Sequence, residues 1–509
     1  MKKLRLINSR IFITSLLLLV QLFWFIFFLI KLTNYSAAIG MAFSVLSIMI
    51  VLFINFKEEN TSYKIGWIIL IMALPLFAWL FYLSFGDKRL SKGMRIRLNR
   101  QHDRIAELLK LNNGLIDEIA EIDERAIGTC RYLQEKSHYP LYKNTATKYY
   151  PSGETMFEDM LIELKKAEQF IFLEYFIIGE GLMWNSILEI LTRKAAEGVD
   201  VRMIYDDIGS LLLLPGDFTR RMEQKGIKCI AFNKFRPILS LPMNNRDHRK
   251  YLVIDGHTAF NGGINLADEY INEIEKYGYW KDTGVRLKGD AVWSFTLMFL
   301  EMWNAFSKNK DILEDFKPYF NNIPDFEPTG YVQPFSDSPL DDETVGENIY
   351  IEILSQAKKY VYIFTPYLII DTEMKSSLCM AAKRGVDVRI VTPGNPDKKI
   401  VYRFTRSNYA PLLEAGIRIF EYTPGFIHAK SYVCDDELAV VGTINMDYRS
   451  LYLHFECATL LYKTSSIFDL KADAAETILK SNEVILDDCR HGFLGNVFDA
   501  VIRIFAPLF

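Results

Sequence analysis

Three stretches near the start of the chain, 11–30, 36–56 and 65–85, carry no charged residue. Each is about 20 residues long, and at about 1.5 Å rise per residue a helix of that length matches the roughly 30 Å hydrocarbon layer of a bilayer. The pattern predicts membrane helices. Pro75 interrupts the third run, which membrane helices tolerate. Lys2, Lys3, Arg5 and Arg10 before the first run also fit a cleaved leader, although its apolar stretch exceeds the usual length of about 7–15 residues. Basic residues precede the first run and follow the third, from Lys88 to Arg100. The positive-inside rule would hold both flanks in the cytoplasm, whereas three full crossings would separate them. We therefore expect two crossings and one re-entrant or interfacial segment, in a multi-pass protein of the cell membrane whose C-terminal body is cytoplasmic.

Beyond residue 145 the pattern changes and then repeats. A helical apolar pattern (156–167; 346–357) leads to a β-rich run (170–178; 360–370), a second helix (184–196; 373–383) and a strand (199–205; 386–391). Gly-Val-Asp-Val-Arg occurs at 198–202 and again at 385–389. Alternating strands and helices of these lengths predict an α/β fold, with a mixed or parallel sheet covered by helices on both faces, present twice. Five prolines, Pro318, Pro324, Pro328, Pro334 and Pro339, mark the linker between copies. The expected organisation is a membrane anchor at 1–86, a basic helical linker at 87–144, and two α/β domains at 145–325 and 326–509. The tail, 496–509, reads as a docked amphipathic helix or a second membrane contact.

Charge sharpens this division. The net charge of -4 sums a basic end and an acidic body: the first 100 residues are +10, leaving −14 for the other 409. An acidic body argues against general nucleic-acid binding, which depends on Lys and Arg neutralising phosphates. The basic collar at 87–110 suits either solvent or anionic lipid headgroups. Six scattered cysteines without a C-x-x-C pair imply reduced thiols, with neither a disulfide frame nor a zinc site.

The chemistry lies in a duplicated spacing. His248, Lys250, Asp255, Gly262 and Asn265 recur as His428, Lys430, Asp435, Gly442 and Asn445, every member 180 residues on. The chain has only 7 histidines, so chance does not produce this register. Residues two apart on a strand face the same side, so imidazole and ammonium converge on one phosphate. Asn265 and Asn445 join from glycine-bearing turns. With the copies packed about a pseudo-twofold axis, one histidine attacks phosphorus while the other protonates the leaving oxygen. Lys250, Lys430, Asn265 and Asn445 then carry the developing charge, so no metal or other cofactor is required. Asp255 and Asp435 complete the motif, although each ends its strand away from the His/Lys pair, which favours a structural turn. Glu456 and Asp282 are the candidates to orient the histidines. His102, His138, His257, His454 and His491 read as surface, turn or structural residues, and Tyr175 and Tyr367 as possible cleft walls.

These motifs resemble the twin H-x-K-x4-D-x6-G-x-x-N signatures of the phospholipase D superfamily. With the apolar N-terminal runs, Arg246-Asp247-His248-Arg249-Lys250, Gly262-Gly263-Ile264-Asn265, Asp268-Glu269-Tyr270, Tyr279-Trp280-Lys281-Asp282-Thr283 and Thr365-Pro366-Tyr367, the chain is similar to bacterial cardiolipin synthases. The resemblance implies two tandem phospholipase D-like domains and transfer of a phosphatidyl group between two phosphatidylglycerols in the bilayer, giving cardiolipin and glycerol. It further implies a phosphatidyl-histidine on His248, with His428 as acid and then base. Gly263 stands where copy two has Thr443, which makes the half-sites chemically unequal. The family commonly shows two membrane segments where this chain shows three candidates. The motifs alone leave open transfer to water, as in a phospholipase D hydrolase, or to another alcohol such as serine. A membrane scaffold is disfavoured because both motifs are intact.

Overall fold

A computed structural model describes residues 37–57, 60–73, 92–109, 113–122, 126–234, 244–307, 310–317, 327–340, 343–489 and 492–506, with isolated positions at 19, 22, 23, 26, 27 and 82. The first strands are β1 (Thr145–Tyr150), β2 (Phe170–Tyr175), β3 (Asp200–Asp206), β4 (Lys228–Phe232), β5 (Lys250–Ile254), β6 (Thr258–Gly262), β7 (Tyr279–Lys281) and β8 (Gly284–Gly289). Seven of them form one sheet in the order β1-β8-β6-β5-β2-β3-β4. The later strands are β9 (Tyr331–Asp337), β10 (Tyr360–Phe364), β11 (Leu368–Ile369), β12 (Asp387–Pro393), β13 (Arg418–Tyr422), β14 (Gly425–Ile427), β15 (Ser431–Cys434), β16 (Leu438–Gly442), β17 (Met446–Asp447), β18 (Glu456–Tyr462) and β19 (Ser481–Glu483). Their main sheet runs β9-β18-β16-β15-β10-β12-β13-β19. Strand for strand this is the first sheet again with β19 added at one edge, so the sequence repeat is a repeat of topology.

Each sheet is mixed for a physical reason. β2, β3 and β4 are parallel because the helices Leu182–Ala196 and Phe218–Gln224 make the crossovers, and β10, β12 and β13 are parallel in the same way. The motif strands are antiparallel hairpins, β5–β6 and β15–β16, fully buried and accordingly rich in Val, Ile, Leu and Tyr.

The two sheets share one core. The helix Val292–Phe306 is mostly apolar and buried almost throughout, and it packs against β2, β5, β6 and β8 of one sheet and β9 of the other. Strands of the two sheets also meet directly, β6 and β8 against β16 and β18. The basic helix Lys92–Leu108 docks on Val292–Phe306 through Leu98 and Ile105, and His102 Nδ1 lies 3.2 Å from Glu301 Oε1. Arg97, Arg100 and Arg104 stay exposed.

The apolar start is only partly described. The first run apart from residues 19, 22, 23, 26 and 27, and the third beyond Ala73 apart from Tyr82, lie outside the described residues. The helices Ala37–Phe56 and Thr61–Ala73 pack together around Ile54, Tyr63, Trp67 and Ile71. Among the described residues no helix is long and apolar enough to cross a membrane, so the expected spanning helices are not seen as such. Asn60 ties this hairpin to the second sheet's body, donating to Asp371 Oδ2 at 2.6 Å and to Tyr452 Oη at 2.9 Å. At the other terminus, the helix Phe493–Phe505 is docked, with Arg403 Nε on Asp499 Oδ1 at 3.0 Å and Ile502 against the small cluster of Phe404 and Tyr448.

Candidate active site

Both His-Lys pairs enter their strands the same way. His248 lies just before β5 and Lys250 opens it; His428 and Lys430 just precede β15. In each pair the lysine Nζ donates to the carbonyl of its own histidine, which holds ammonium and imidazole on one side of the chain. All four residues are at least nine-tenths buried.

The histidines are positioned across the copies. The backbone N–H of His248 donates to the Phe455 carbonyl at 2.9 Å, and that of His428 to the Lys281 carbonyl at 2.7 Å. β14, ending at Ile427, pairs in parallel with β7, ending at Lys281, and an isolated bridge joins Asp247 to Phe455 in the same sense. Gly425 is required here, because a Cβ would overlap the Tyr279 backbone. These crossings deliver a carboxylate to each imidazole: His248 Nδ1 is 2.8 Å from Glu456 Oε1, and His428 Nδ1 is 2.7 Å from Asp282 Oδ2. A carboxylate at Nδ1 fixes the proton there and leaves Nε2 with a free lone pair. Each half-site is thus completed by the other copy.

The half-sites differ in their supports. Glu456 Oε2 accepts the hydroxyl of Thr443, whereas Asp282 Oδ1 accepts the N–H of Thr283 at 2.8 Å. A Cβ at Gly263, the counterpart of Thr443, would overlap the Asp282 carboxylate. The longer acid goes with threonine and the shorter with glycine, because one space holds either the hydroxyl or the carboxylate. Gly263→Thr is therefore expected to push Asp282 off His428 and lower kcat about 10²-fold, with the fold retained by circular dichroism. The aromatic surroundings differ too. Around His428 the ring centroids of Tyr270, Trp280 and Phe426 lie at 5.6, 5.4 and 6.0 Å, whereas His248 has Phe176 at 4.9 Å and His454 at 5.5 Å.

Burial, reinforced by neighbouring cations, keeps the imidazoles neutral. Burial followed by Lys430 lowers His428 to about 4. His248 is held well below the usual range by burial and then by Lys250, His454, Lys430 and His428. That Lys430 and His428 both act on His248 places the two motifs in one field. Burial also lowers the Lys250 ammonium to about 8 and that of Lys430 to about 7. Burial alone would raise Asp282, but His428 and Lys430 hold it below the usual range; burial raises Glu456 well above it, against Lys250 and Thr443.

Asp255 and Asp435 hold turns away from the two imidazoles. At the far end of its hairpin strand, Asp255 accepts the backbone N–H groups of Glu168, Gln169 and Phe170, each at 2.8 Å. Asp435 does the same for Lys358, Lys359 and Tyr360 at 2.6, 2.8 and 2.8 Å. Both occupy left-handed backbone, φ 50° and 53°, which aspartate tolerates. Their carboxylates pin the turn before β2 and β10. Asp255→Ala orphans three donors of a charge-assisted set, so a loss of about 2–4 kcal/mol in urea unfolding is expected, with kcat retained in the protein that stays folded.

Asn265 bridges the N–H of Ile177, at 2.9 Å, and Tyr270 Oη, at 2.7 Å, which leaves one amide hydrogen free; Asn445 has a buried Oδ1 without a hydrogen-bond partner. Tyr175 stands opposite Lys250 on the neighbouring strand, whereas the Tyr367 hydroxyl is taken by Asp397 at 2.8 Å. His257 sits in the β5–β6 turn with Nδ1 2.9 Å from Thr258 Oγ1, and His491 lies outside the described residues. His454, which the sequence places among surface or structural residues, is buried and lies against His248. Its place two residues before Glu456 was the available signal. His248, His454 and Glu456 together have the composition of a metal site, with donor atoms within 4.8 Å of one another. Lys250 acts on both imidazoles and Arg449 and Arg246 act on His454, surroundings that disfavour a dication.

A family model described as the phospholipase D-like domain of cardiolipin synthase matches residues 160–277 and 350–477, once on each copy. An uncharacterized protein of Streptococcus mutans is 46% identical over 460 residues, 90% of this chain and 99% of that one. The cardiolipin synthase of Alkalihalophilus pseudofirmus is 33% identical over 478 residues, 92% of this chain and 93% of its own. The crystal structure of a phosphatidylserine synthase from Haemophilus influenzae covers 75% of this chain and 97% of its own with a TM-score of 0.56 at 13% identity, and so shares the fold. With paired motifs, matching topology and relatives aligned over nearly the whole length, the chain belongs to the cardiolipin synthase family of phospholipase D-like proteins.

Proposed function

We propose that the protein is a phosphatidyltransferase that makes cardiolipin and glycerol from two molecules of phosphatidylglycerol. The observation that carries this reading is the crossed pair of histidines, each with a carboxylate on Nδ1 and both acting within one buried, cationic site. Nε2 of His248 attacks phosphorus, and His428 gives its Nε2 proton to the departing glycerol oxygen as the P–O bond breaks. The phosphatidyl group is then held on His248 through a P–N bond. A hydroxyl of the second phosphatidylglycerol loses its proton to His428 and attacks phosphorus, and the P–N electron pair returns to His248.

The aromatic ring set around His428 supports its role as the proton carrier, because π-faces stabilise an imidazolium. Binding of an anionic phosphodiester raises its affinity for that proton from the low value of the empty site. Lys250, Lys430, Asn265 and Asn445 are assigned to the phosphate oxygens, and Thr443, Glu456 and Asp282 to the imidazoles. Residues 1–86 are assigned as the bilayer anchor, on the absence of charge from 11–30, 36–56 and 65–85, with the exposed arginines of Lys92–Leu108 facing anionic headgroups and the two α/β domains in the cytoplasm.

Purified full-length protein with radiolabelled phosphatidylglycerol in mixed micelles tests the reading. Cardiolipin and glycerol in equal amounts are expected. Phosphatidic acid as the main product would mean that water is the acceptor, and no turnover would sink the enzymatic reading.

A further inference from the structure

The pseudo-twofold symmetry of the site breaks two residues before each orienting carboxylate, where the second copy has His454 and the first has Trp280. His454 is 8% exposed. Its backbone is fixed, since its N–H donates to the Arg449 carbonyl at 3.0 Å and the neighbouring Phe455 is bonded to Arg246 and His248 in the segment leading into β5. The Nε–H of Arg449 points at His454 Nε2 over a long 3.4 Å. A guanidinium only donates, so Nε2 is an acceptor and the proton of the neutral ring is on Nδ1. That Nδ1 is buried without a hydrogen-bond partner and lies 3.9 Å from Glu456 Oε1, the same oxygen that takes the His248 proton at 2.8 Å.

We propose that His454 is a positioning residue that acts through Glu456, closing its Nδ1–H onto Glu456 Oε1 when His248 carries the phosphatidyl group. The inference rests on the phosphatidyl-histidine reading above. Once Nε2 is bonded to phosphorus, the ring with its Nδ1–H is cationic and leaves as neutral imidazole. If Glu456 removes that proton, the ring must instead leave as an anion, and the intermediate stalls. Glu456 must therefore accept the hydrogen bond without acting as a base. A carboxylate that receives donors from Thr443, His248 and His454 is a weak base, and a 3.9 Å gap can close by a small ring movement. The need is confined to this half-site. Burial leaves Glu456 prone to protonation, whereas Asp282 is already held ionised by His428 and Lys430, and its neighbour Trp280 has no group that titrates.

The test uses full-length enzyme, wild type against His454→Phe and His454→Asn, with labelled phosphatidylglycerol and an alkaline quench that preserves a P–N bond. His454→Phe keeps a ring but removes the N–H; His454→Asn restores an N–H at the same distance along the side chain. The expected result for His454→Phe is a kcat about 10-fold lower at unchanged KM, with the adduct on His248 raised several-fold in the steady state. The alkaline limb of the kcat profile should also move to higher pH, since a more basic Glu456 binds the shared proton more tightly and the pair gives it up to solvent later. His454→Asn should return all three toward wild type. Wild-type adduct level and pH profile in His454→Phe would overturn the proposal, as would an equal loss of adduct formation in both variants, which marks a purely structural role. Absence of any adduct in the wild type would instead overturn the phosphatidyl-histidine reading.

Discussion

Replacing His248 with Ala is expected to lower kcat by at least about 10⁴-fold and to remove the covalent lipid adduct, because the only nucleophile assigned to phosphorus is lost. His428→Ala should also be severe, about 10²–10⁴-fold, but for a different reason: the glycerol oxygen then has to leave without a proton. Leaving-group chemistry separates the two. A phosphodiester with a nitrophenol leaving group needs no protonation, so His428→Ala should release nitrophenol in a burst of one equivalent per site and then stall as the adduct. His248→Ala should give no burst with either substrate. A burst that survives in His248→Ala and disappears in His428→Ala would exchange the two roles. The structural ground for the expected direction is the asymmetry of the surroundings, with three aromatic rings around His428 and an imidazole and a single phenyl ring beside His248.

Much of this site was legible in the sequence because its residues are scarce and their spacing is rigid. A hairpin of fixed register keeps His, Lys and Asn at the same separations in both copies, so β5–β6 and β15–β16 could be read directly from two short motifs. Glu456 and Asp282 could be nominated by type and position. Which histidine each one serves could not: the Glu456–His248 pair is 208 residues apart, and the strands that cross the copies, β7 and β14, are three residues long, too short for periodicity to register. The helix Val292–Phe306 was not among the elements expected from the sequence; it is mostly apolar and buried almost throughout, so it has no exposed polar face to mark it. Asp255 and Asp435 could be placed at turns from their position at the strand ends, although motif membership alone does not distinguish a catalytic carboxylate from one that pins a turn. Their backbone partners, at 168–170 and 358–360, carry no side-chain signal at all.

Glu456→Gln provides the sharpest test of the crossed arrangement, because a change in the second copy is expected to disable the histidine of the first. The amide can donate its N–H to Nδ1 of His248, which places the ring proton on Nε2 and removes the nucleophilic lone pair. Where a carboxylate fixes the tautomer of a catalytic histidine, this substitution costs about 10⁴-fold in kcat. Here a loss of about 10³–10⁴ is expected, slightly less because Thr443 still anchors the Oε2 side. A nitrophenol leaving group should not rescue it, since the defect is in attack. Asp282→Asn, on the first copy, should disturb His428 and therefore be rescued for the first turnover by the same substrate. If each histidine were served by its own copy, the pattern would invert: Glu456→Gln would be rescued and Asp282→Asn would not. The 2.8 and 2.7 Å contacts across the copies predict the first pattern. They also predict that neither half works alone, since each copy carries a histidine whose tautomer is set by a carboxylate on the other.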